Sequence, residues 1–128
     1  MPAQSSDAST PGARNEVLLC GRVAAPAEQR ELPSGDTIVT ARVIVDRDSA
    51  ARGRSAQRVD TIDCVAWGSR VQRSLLRWQV GQFVQVEGAI RRRFFRGQTG
   101  PVSRVEVEVT ATRRARETRV RADLRARR

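Results

Sequence analysis

Histidine and lysine are both absent from this chain of 128 residues, and cysteine occurs only twice. Without histidine, no nucleophile can be paired with an imidazole base and no histidine-ligated metal site can form. No glycine-rich phosphate loop occurs either, so we expect no enzyme, no cofactor and no bound metal. Cys20 and Cys64 lie far apart in apolar runs without metal-ligand spacing. They are predicted to be small buried hydrophobic residues in a reduced, cytoplasmic environment.

A long apolar run is also missing, so the sequence predicts neither a signal peptide nor a membrane span. Residues 1–14 are rich in Ser, Ala and Pro without periodicity, which predicts a flexible arm. Residues 113–128 are basic and have few large apolar side chains, which predicts a disordered or conditionally helical tail. Between them, residues 15–112 have the usual length of one domain.

Positive charge is in excess. The net charge is +10, and all 24 basic residues are arginine. Codon bias in a high-GC genome explains the missing lysine, but it does not explain the excess of positive charge. Such a field attracts polyanions, either nucleic acid or an anionic membrane surface. We expect nucleic acid to be the partner and expect no membrane association.

Apolar residues at period two predict five strands, over about residues 15–24, 36–46, 59–68, 82–90 and 102–111. Gly21 in the middle of the first strand suggests a sharp bend or a bulge. In the last strand, Val105, Val107 and Val109 are predicted to face inward, and the two intervening glutamates outward.

Between the third and fourth strands the apolar period changes to that of a helix. Val71, Leu75 and Trp78 fall on one helical face, with Ser69 able to cap its start and Gly81 to stop it. Trp78, and Phe83 at the start of the next strand, are predicted to lie in the core. The order β-β-β-α-β-β predicts an all-β, five-stranded OB barrel. Strand count alone also fits an SH3-like barrel or a meander, and the helix position favours OB.

Two segments between strands are predicted to be loops. Residues 47–58 are small and arginine-dotted without hydrophobic anchors, which predicts a long mobile loop. The segment "AIRRRFFRGQTG", Ala89 to Gly100, places two of the three phenylalanines among arginines at a predicted loop tip. Scarce aromatic rings among charges suit a ligand that offers both phosphates and base faces.

Over about residues 15–111 the chain resembles the bacterial single-stranded DNA-binding protein (SSB) family. "NEVLLCGRV" resembles the opening strand of that family, and "EQRELPSG" resembles its Glu-x-Arg-x-x-Pro-x-Gly segment. The block from Cys64 to Gly100 resembles its strand-helix-strand block with an aromatic-tipped loop. The resemblance implies an OB barrel, usually in a homotetramer, that binds single-stranded DNA without sequence preference. The implied roles are in DNA replication, recombination or repair.

The same resemblance implies base stacking by Trp67 and Phe95. For Phe94, an additional aromatic, packing beneath the loop is an equal alternative. Thr61 stands where the family often has an aromatic residue and Asp63 where it often has a basic one, so binding is expected to depend on arginine. The candidates are Arg22, Arg42, Arg91, Arg93 and Arg96 in a groove, and Arg52, Arg54 and Arg58 from the long loop. For each of them, a solvated surface position is the alternative.

The C-terminal sequence "RADLRARR" differs from the acidic, Phe-terminated tip that is typical of the family. Recruitment of partner proteins through such a tip is therefore not expected, and an accessory or specialised member is. Two alternatives remain open. One is an RNA-directed or primosome-type OB protein, and the other is an interaction subunit that assembles with another SSB.

Overall fold

A computed structural model describes residues 12–115. The predicted N-terminal arm, residues 1–14, and the predicted basic tail, residues 113–128, lie outside the described residues, apart from residues 12–14 and 113–115. The described part contains six strands and two short helices. They are β1 Val17–Val23, β2 Glu28–Glu31, β3 Thr37–Asp46, α1 Ser49–Arg54, β4 Val59–Ala66, α2 Ser69–Leu76, β5 Phe83–Gly97 and β6 Gly100–Arg114. Within residues 12–115, neither helix is long and apolar enough to cross a membrane.

Five of the strands close into a barrel. The order across the sheet is β1-β5-β6-β4-β3-β2, and an additional pairing of β1 with β3 closes the ring. All pairs are antiparallel except β4 with β6, which run parallel. Helix α2 lies between β4 and β5, as in an OB fold. The prediction of a five-stranded OB barrel is therefore confirmed. The short β2 pairs with β3 outside the ring.

Gly21 lies where β1 serves both of its neighbours. β1 pairs with β5 from Val17 to Arg22, and its last two residues also pair with β3. The backbone of β3 approaches so closely that a Cβ on residue 21 would collide with the carbonyl of Ile44. A residue without a side chain is therefore needed for the ring to close at this point.

The core is built from the inward-facing residues that period two predicts. Val39, Val43, Val84 and Val86 are fully buried, and full burial of such a side chain stabilises the fold by roughly 1.5–3 kcal/mol. Helix α2 covers one end of this core with Leu75, which is also fully buried, while Val71 packs against the core. Trp78, just beyond the helix, is buried in the same cluster, as predicted.

The limits of helix α2 differ from the prediction. Its N-cap is Gly68, without a side-chain hydrogen bond, so Ser69 is the first helical residue and not the cap. The helix ends at Leu76, and Gly81 lies in the following turn with a φ of 87°. That positive φ favours glycine.

Two predicted core residues lie on the outside of the barrel wall. Phe83 pairs with Arg22 across the β1–β5 ladder, so it shares the outer face with that arginine and is only half-buried. Cys20 is also half-buried on this face, with its Sγ 3.9 Å from Oε1 of Gln85. By contrast Cys64 faces the core and is buried, as predicted, and burial raises the pKa of its thiol to about 12.

Both predicted loops contain regular structure. Within residues 47–58 the chain forms helix α1, whose N-cap Asp48 accepts a hydrogen bond from the amide of Ala51 at 2.8 Å. The segment from Ala89 to Gly100 is not a loop but part of a long hairpin. There β5 and β6 pair continuously out to Gly97 and Gly100, with only two residues between the strands.

The outer half of this hairpin projects beyond the barrel. Strand β6 pairs with β4 only through Val107 with Cys64 and Glu108 with Val65, so the residues of β6 before Val107 have no ladder partner in β4. Val105 consequently points inward as predicted but is 49% exposed, because the barrel no longer covers it. A β-bulge between Glu87 and Gly88 interrupts the β5–β6 pairing at the base of the projecting part.

Candidate nucleic-acid interface

The two phenylalanines of the hairpin lie on opposite faces of the ribbon. Residues directly opposite each other in an antiparallel pair share a face, and faces alternate along each strand. Phe95 is opposite Val102, on the face that continues the outside of the barrel wall. Phe94 is opposite Ser103, on the face that continues the core-facing side. Arg91 and Arg93 share the Phe95 face, whereas Arg92 and Arg96 share the Phe94 face.

The outer face of the hairpin meets the outer face of β3 and β4 at a shallow cavity of about 200 Å³. We define the outer groove by five charged residues that line this cavity: Arg42, Asp63, Arg93, Arg104 and Glu106. Strand β2 and the segment before it form the opposite rim, where Glu28 and Arg30 also line the cavity. The groove thus crosses the sheet where the projecting hairpin leaves the barrel.

Each predicted arginine in the outer groove is paired with a carboxylate. Arg42 donates from Nε to Oδ1 of Asp63 at 3.1 Å, directly across the β3–β4 ladder. Arg93 donates two hydrogen bonds to Glu106, at 3.1 and 3.4 Å, and the side chain of Glu106 is only 5% exposed. Such charge-assisted pairs fix the orientation of the guanidinium groups. The acid at position 63 is therefore balanced by a neighbouring arginine.

Phe95 lies beside two arginines at the hairpin end of the groove. The guanidinium carbons of Arg93 and Arg104 lie 5.4 and 5.6 Å from the centre of its ring. These distances fall within the range of cation–π attraction, so the half-buried ring has a defined position. Phe94 has no such neighbours among the described residues and is 74% exposed.

Trp67 provides a second aromatic surface, at the end of β4. It directly follows the last strand residue, Ala66, and its side chain is 41% exposed. Gln72 of α2 fixes the backbone here, since its Nε2 donates to the carbonyl oxygens of Trp67 at 2.9 Å and Thr37 at 2.8 Å. The exposed Trp67 and the buried Trp78 thus differ sharply in their access to a ligand.

The remaining predicted arginines do not line the outer groove. Arg22 pairs with Asp46 at 3.5 Å, and Arg91 pairs with Glu108 at 2.9 Å beside the groove. Arg52 donates to the carbonyl of Arg47 at 2.9 Å. The other three, Arg54, Arg58 and Arg96, are exposed and have no acidic partner within residues 12–115.

Two residues of this region were missed from the sequence. Arg104 reaches the groove because it pairs with Arg93 across the hairpin, a contact visible only once the hairpin register is known. Asn15 fixes the base of the hairpin. Its side chain donates to the carbonyl of Ile90 at 2.7 Å and accepts from the amide of the same residue at 2.8 Å. The sequence did offer a signal for Asn15, since it opens the segment "NEVLLCGRV" that resembles the first strand of the family.

The model of the single-strand binding protein family matches residues 14–117, more than half of the chain and all of the barrel. The chain belongs to this family. The matched range includes the outer groove, the hairpin and Trp67, so each of these is part of the SSB-family domain.

Curated relatives from several bacteria are similar to this SSB-family chain. Single-stranded DNA-binding protein 1 of Streptococcus agalactiae serotype III is 33% identical over 88 residues, which cover 67% of the chain and 52% of the relative. Single-stranded DNA-binding protein of Bacillus cereus is 28% identical over 86 residues, covering 67% and 50%. The chain thus spans about half the length of these relatives. Single-stranded DNA-binding protein 2 of Streptococcus agalactiae serotype V is 29% identical over 119 residues, covering 86% and 89%.

A solved structure has the same fold. The structure described as Plasmodium falciparum SSB complex with ssDNA superimposes with a TM-score of 0.63 at 18% identity. The superposition covers 81% of this chain and 95% of the other. At this level of identity the likeness supports the OB barrel of the SSB-family chain, independently of the sequence match.

Proposed function

We propose that this SSB-family chain binds single-stranded DNA without sequence preference, along the outer groove and the Phe95 face of the hairpin. The binding is non-enzymatic and serves DNA replication, recombination or repair in the cytoplasm. Arginines contact the phosphates, and exposed aromatic rings stack on bases, each stack contributing roughly 1–3 kcal/mol. The relatives named for single-stranded DNA binding support this assignment.

One observation carries the proposal. The Phe95 ring, flanked by Arg93 and Arg104, lies on the same outer face as the groove with Arg42. A single strand needs both a base platform and cations at the spacing of its backbone, and this face offers them side by side. Trp67, exposed just after β4, offers a second platform.

The test is a titration of the full chain with oligothymidylate, followed by tryptophan fluorescence. Stacking on Trp67 should quench the emission, and Trp67→Phe should abolish the change. Trp78→Phe is the matched control, because Trp78 is buried and should leave the quenching intact. Binding that is absent even at low salt, or equally strong for duplex DNA, would contradict the proposal.

The same titration addresses two further parts of the proposal. Oligouridylate of equal length tests the RNA-directed alternative, which would require equal or tighter binding of the RNA. The mass of the complex, measured in parallel, tests the homotetramer that the family resemblance implies. A chain that binds weakly at low salt but forms a complex with another SSB would favour the accessory-subunit alternative.

A further inference from the structure

Two of the three arginines of the outer groove, Arg42 and Arg93, already have anionic partners within the chain. Asp63 accepts from Arg42, and Glu106 accepts from Arg93. Beside the groove, Glu108 accepts from Arg91 at 2.9 Å. A phosphate that approaches one of these guanidinium groups therefore meets a carboxylate at the same donors. It must either share the arginine or displace the carboxylate.

The two pairs inside the groove differ in how readily they can exchange. Arg42 and Asp63 expose 63% and 37% of their side chains, so water and a phosphate can reach both partners. Only Nε of Arg42 bonds to Asp63, which leaves other donors of that guanidinium for a ligand. Glu106, in contrast, is nearly buried and is held by two hydrogen bonds, which suits a structural partner that positions Arg93.

We propose that Asp63 limits the affinity of the chain for single-stranded DNA, by competing with phosphate for Arg42. This inference rests on the proposed function of the outer groove. Its physical basis is that an exposed ion pair is weak and can be exchanged. A displaced carboxylate then takes up a cation from solution, so fewer counterions are released in total when the phosphate binds.

The decisive variant is Asp63→Asn, which keeps the shape of the side chain and removes its charge. Oligothymidylate binding should become about 2- to 5-fold tighter at low salt. The log–log slope of affinity against salt should become steeper by ~0.7, because one more phosphate contact then releases a counterion without compensation.

Asp60→Asn is the matched control. Asp60 is on the same strand, similarly exposed, and paired with Arg47 at 2.9 Å, but it lies on the opposite face of β4. The hydrogen bond from Arg47 lowers the pKa of Asp60, so at neutral pH the control removes the same unit of charge. An equal gain in both variants would mean a general effect of net charge and would overturn the proposal.

A double-mutant cycle with Arg42→Gln completes the test. If Asp63 acts through Arg42, Asp63→Asn should have no effect in the Arg42→Gln background. An unchanged or weaker affinity of the single variant Asp63→Asn would also overturn the proposal, since it would mean that the carboxylate positions Arg42 for binding. Failure of the wild-type chain to bind oligothymidylate at all would instead overturn the proposed function.

Discussion

Phe94 and Phe95 are adjacent in sequence but lie on opposite faces of one ribbon, and the two faces have different chemistry. The Phe95 face carries ion pairs and a ring that lies beside two guanidinium groups. The Phe94 face is the core-facing side of the barrel carried out into solvent, where Val105 and Phe94 are exposed. In a closed barrel one face of the wall meets the core and the other meets the ligand.

Alternation along the strand, and not proximity in sequence, decides which residues of "RRRFFR" can act together. Arg91, Arg93 and Phe95 belong to one face, and Arg92, Phe94 and Arg96 to the other. The proposed function uses the first set.

The two cysteines give the largest expected contrast between inside and outside. Cys64 faces the core, and burial raises its pKa to about 12, so its thiol should react more than about 100-fold slower than an ordinary free thiol. Cys20, half-buried on the outer face, should react first. In a thiol-colouring assay at pH 8, one thiol per chain should react promptly and the second slowly, until unfolding in urea makes it react promptly as well.

The reaction rate of the Cys64 thiol should increase with pH, because its raised pKa lies above the pH of the assay. Because only the thiolate reacts, the slow rate should rise about tenfold per pH unit between pH 7 and 9 without levelling. Cys20→Ser assigns the slow thiol, since this variant should lose the fast phase alone. Two equally fast thiols in the folded chain would contradict the assigned faces.

The aromatic pair gives the next contrast. Phe95→Ala should weaken oligothymidylate binding by at least about 5-fold, because a lost stack costs roughly 1–3 kcal/mol and few other rings can replace it. Phe94→Ala, the matched control on the other face, should change the affinity by less than about 2-fold. Fluorescence titration measures both, with thermal unfolding to verify that each variant is folded.

A larger loss for Phe94→Ala than for Phe95→Ala would assign DNA to the core-facing side of the hairpin instead. A loss below ~0.5 kcal/mol for Phe95→Ala would argue against stacking on this ring altogether.

The smallest expected contrast is between two arginines. Arg104→Ala removes a cation from the outer groove, and the log–log salt slope should become shallower by ~0.7. Arg92→Ala removes the same charge from the Phe94 face, where Arg92 donates to Ser103 at 3.3 Å, and should leave the slope unchanged. Equal slopes for the two variants would indicate that the hairpin contributes only diffuse charge.

Much of the barrel could be predicted from the sequence because burial imposes a regular pattern. Val39, Ala41 and Val43 alternate with polar residues, and all three are buried. The change to helical spacing at Val71 and Leu75 correctly located α2. In both cases the core selects residues at the period of the element, so the pattern is visible without knowledge of the partners.

The elements that the sequence did not predict have no buried apolar side that would impose such a pattern. All four residues of β2 are exposed, and backbone pairing with β3 defines the strand without an apolar side. Helix α1 buries none of its residues, so it has no apolar face to detect. The arginines and phenylalanines of the hairpin gave no strand pattern, so the segment was predicted to be a loop. Continuous pairing of β5 with β6 defines the strands there.

The site was only partly predictable for a similar reason. Arg42, Arg93 and Phe95 could be proposed from residue type and resemblance. The burial of Glu106 and the contribution of Arg104 depend on a register between distant segments, which composition does not encode. The side of the hairpin on which each aromatic lies depends on the same register.

The uninterrupted pairing of the hairpin sets a rule for changing its length. Insertion or removal of one residue within β5, between the bulge and Phe95, would exchange the faces of all later residues of β5. Phe94 would then lie on the groove side of the hairpin. Paired changes of two residues in each strand would preserve the faces and only shift the ring outward or inward. The length of the projecting hairpin can therefore be changed by an even number of residues per strand without exchanging its faces, whereas an odd number exchanges them.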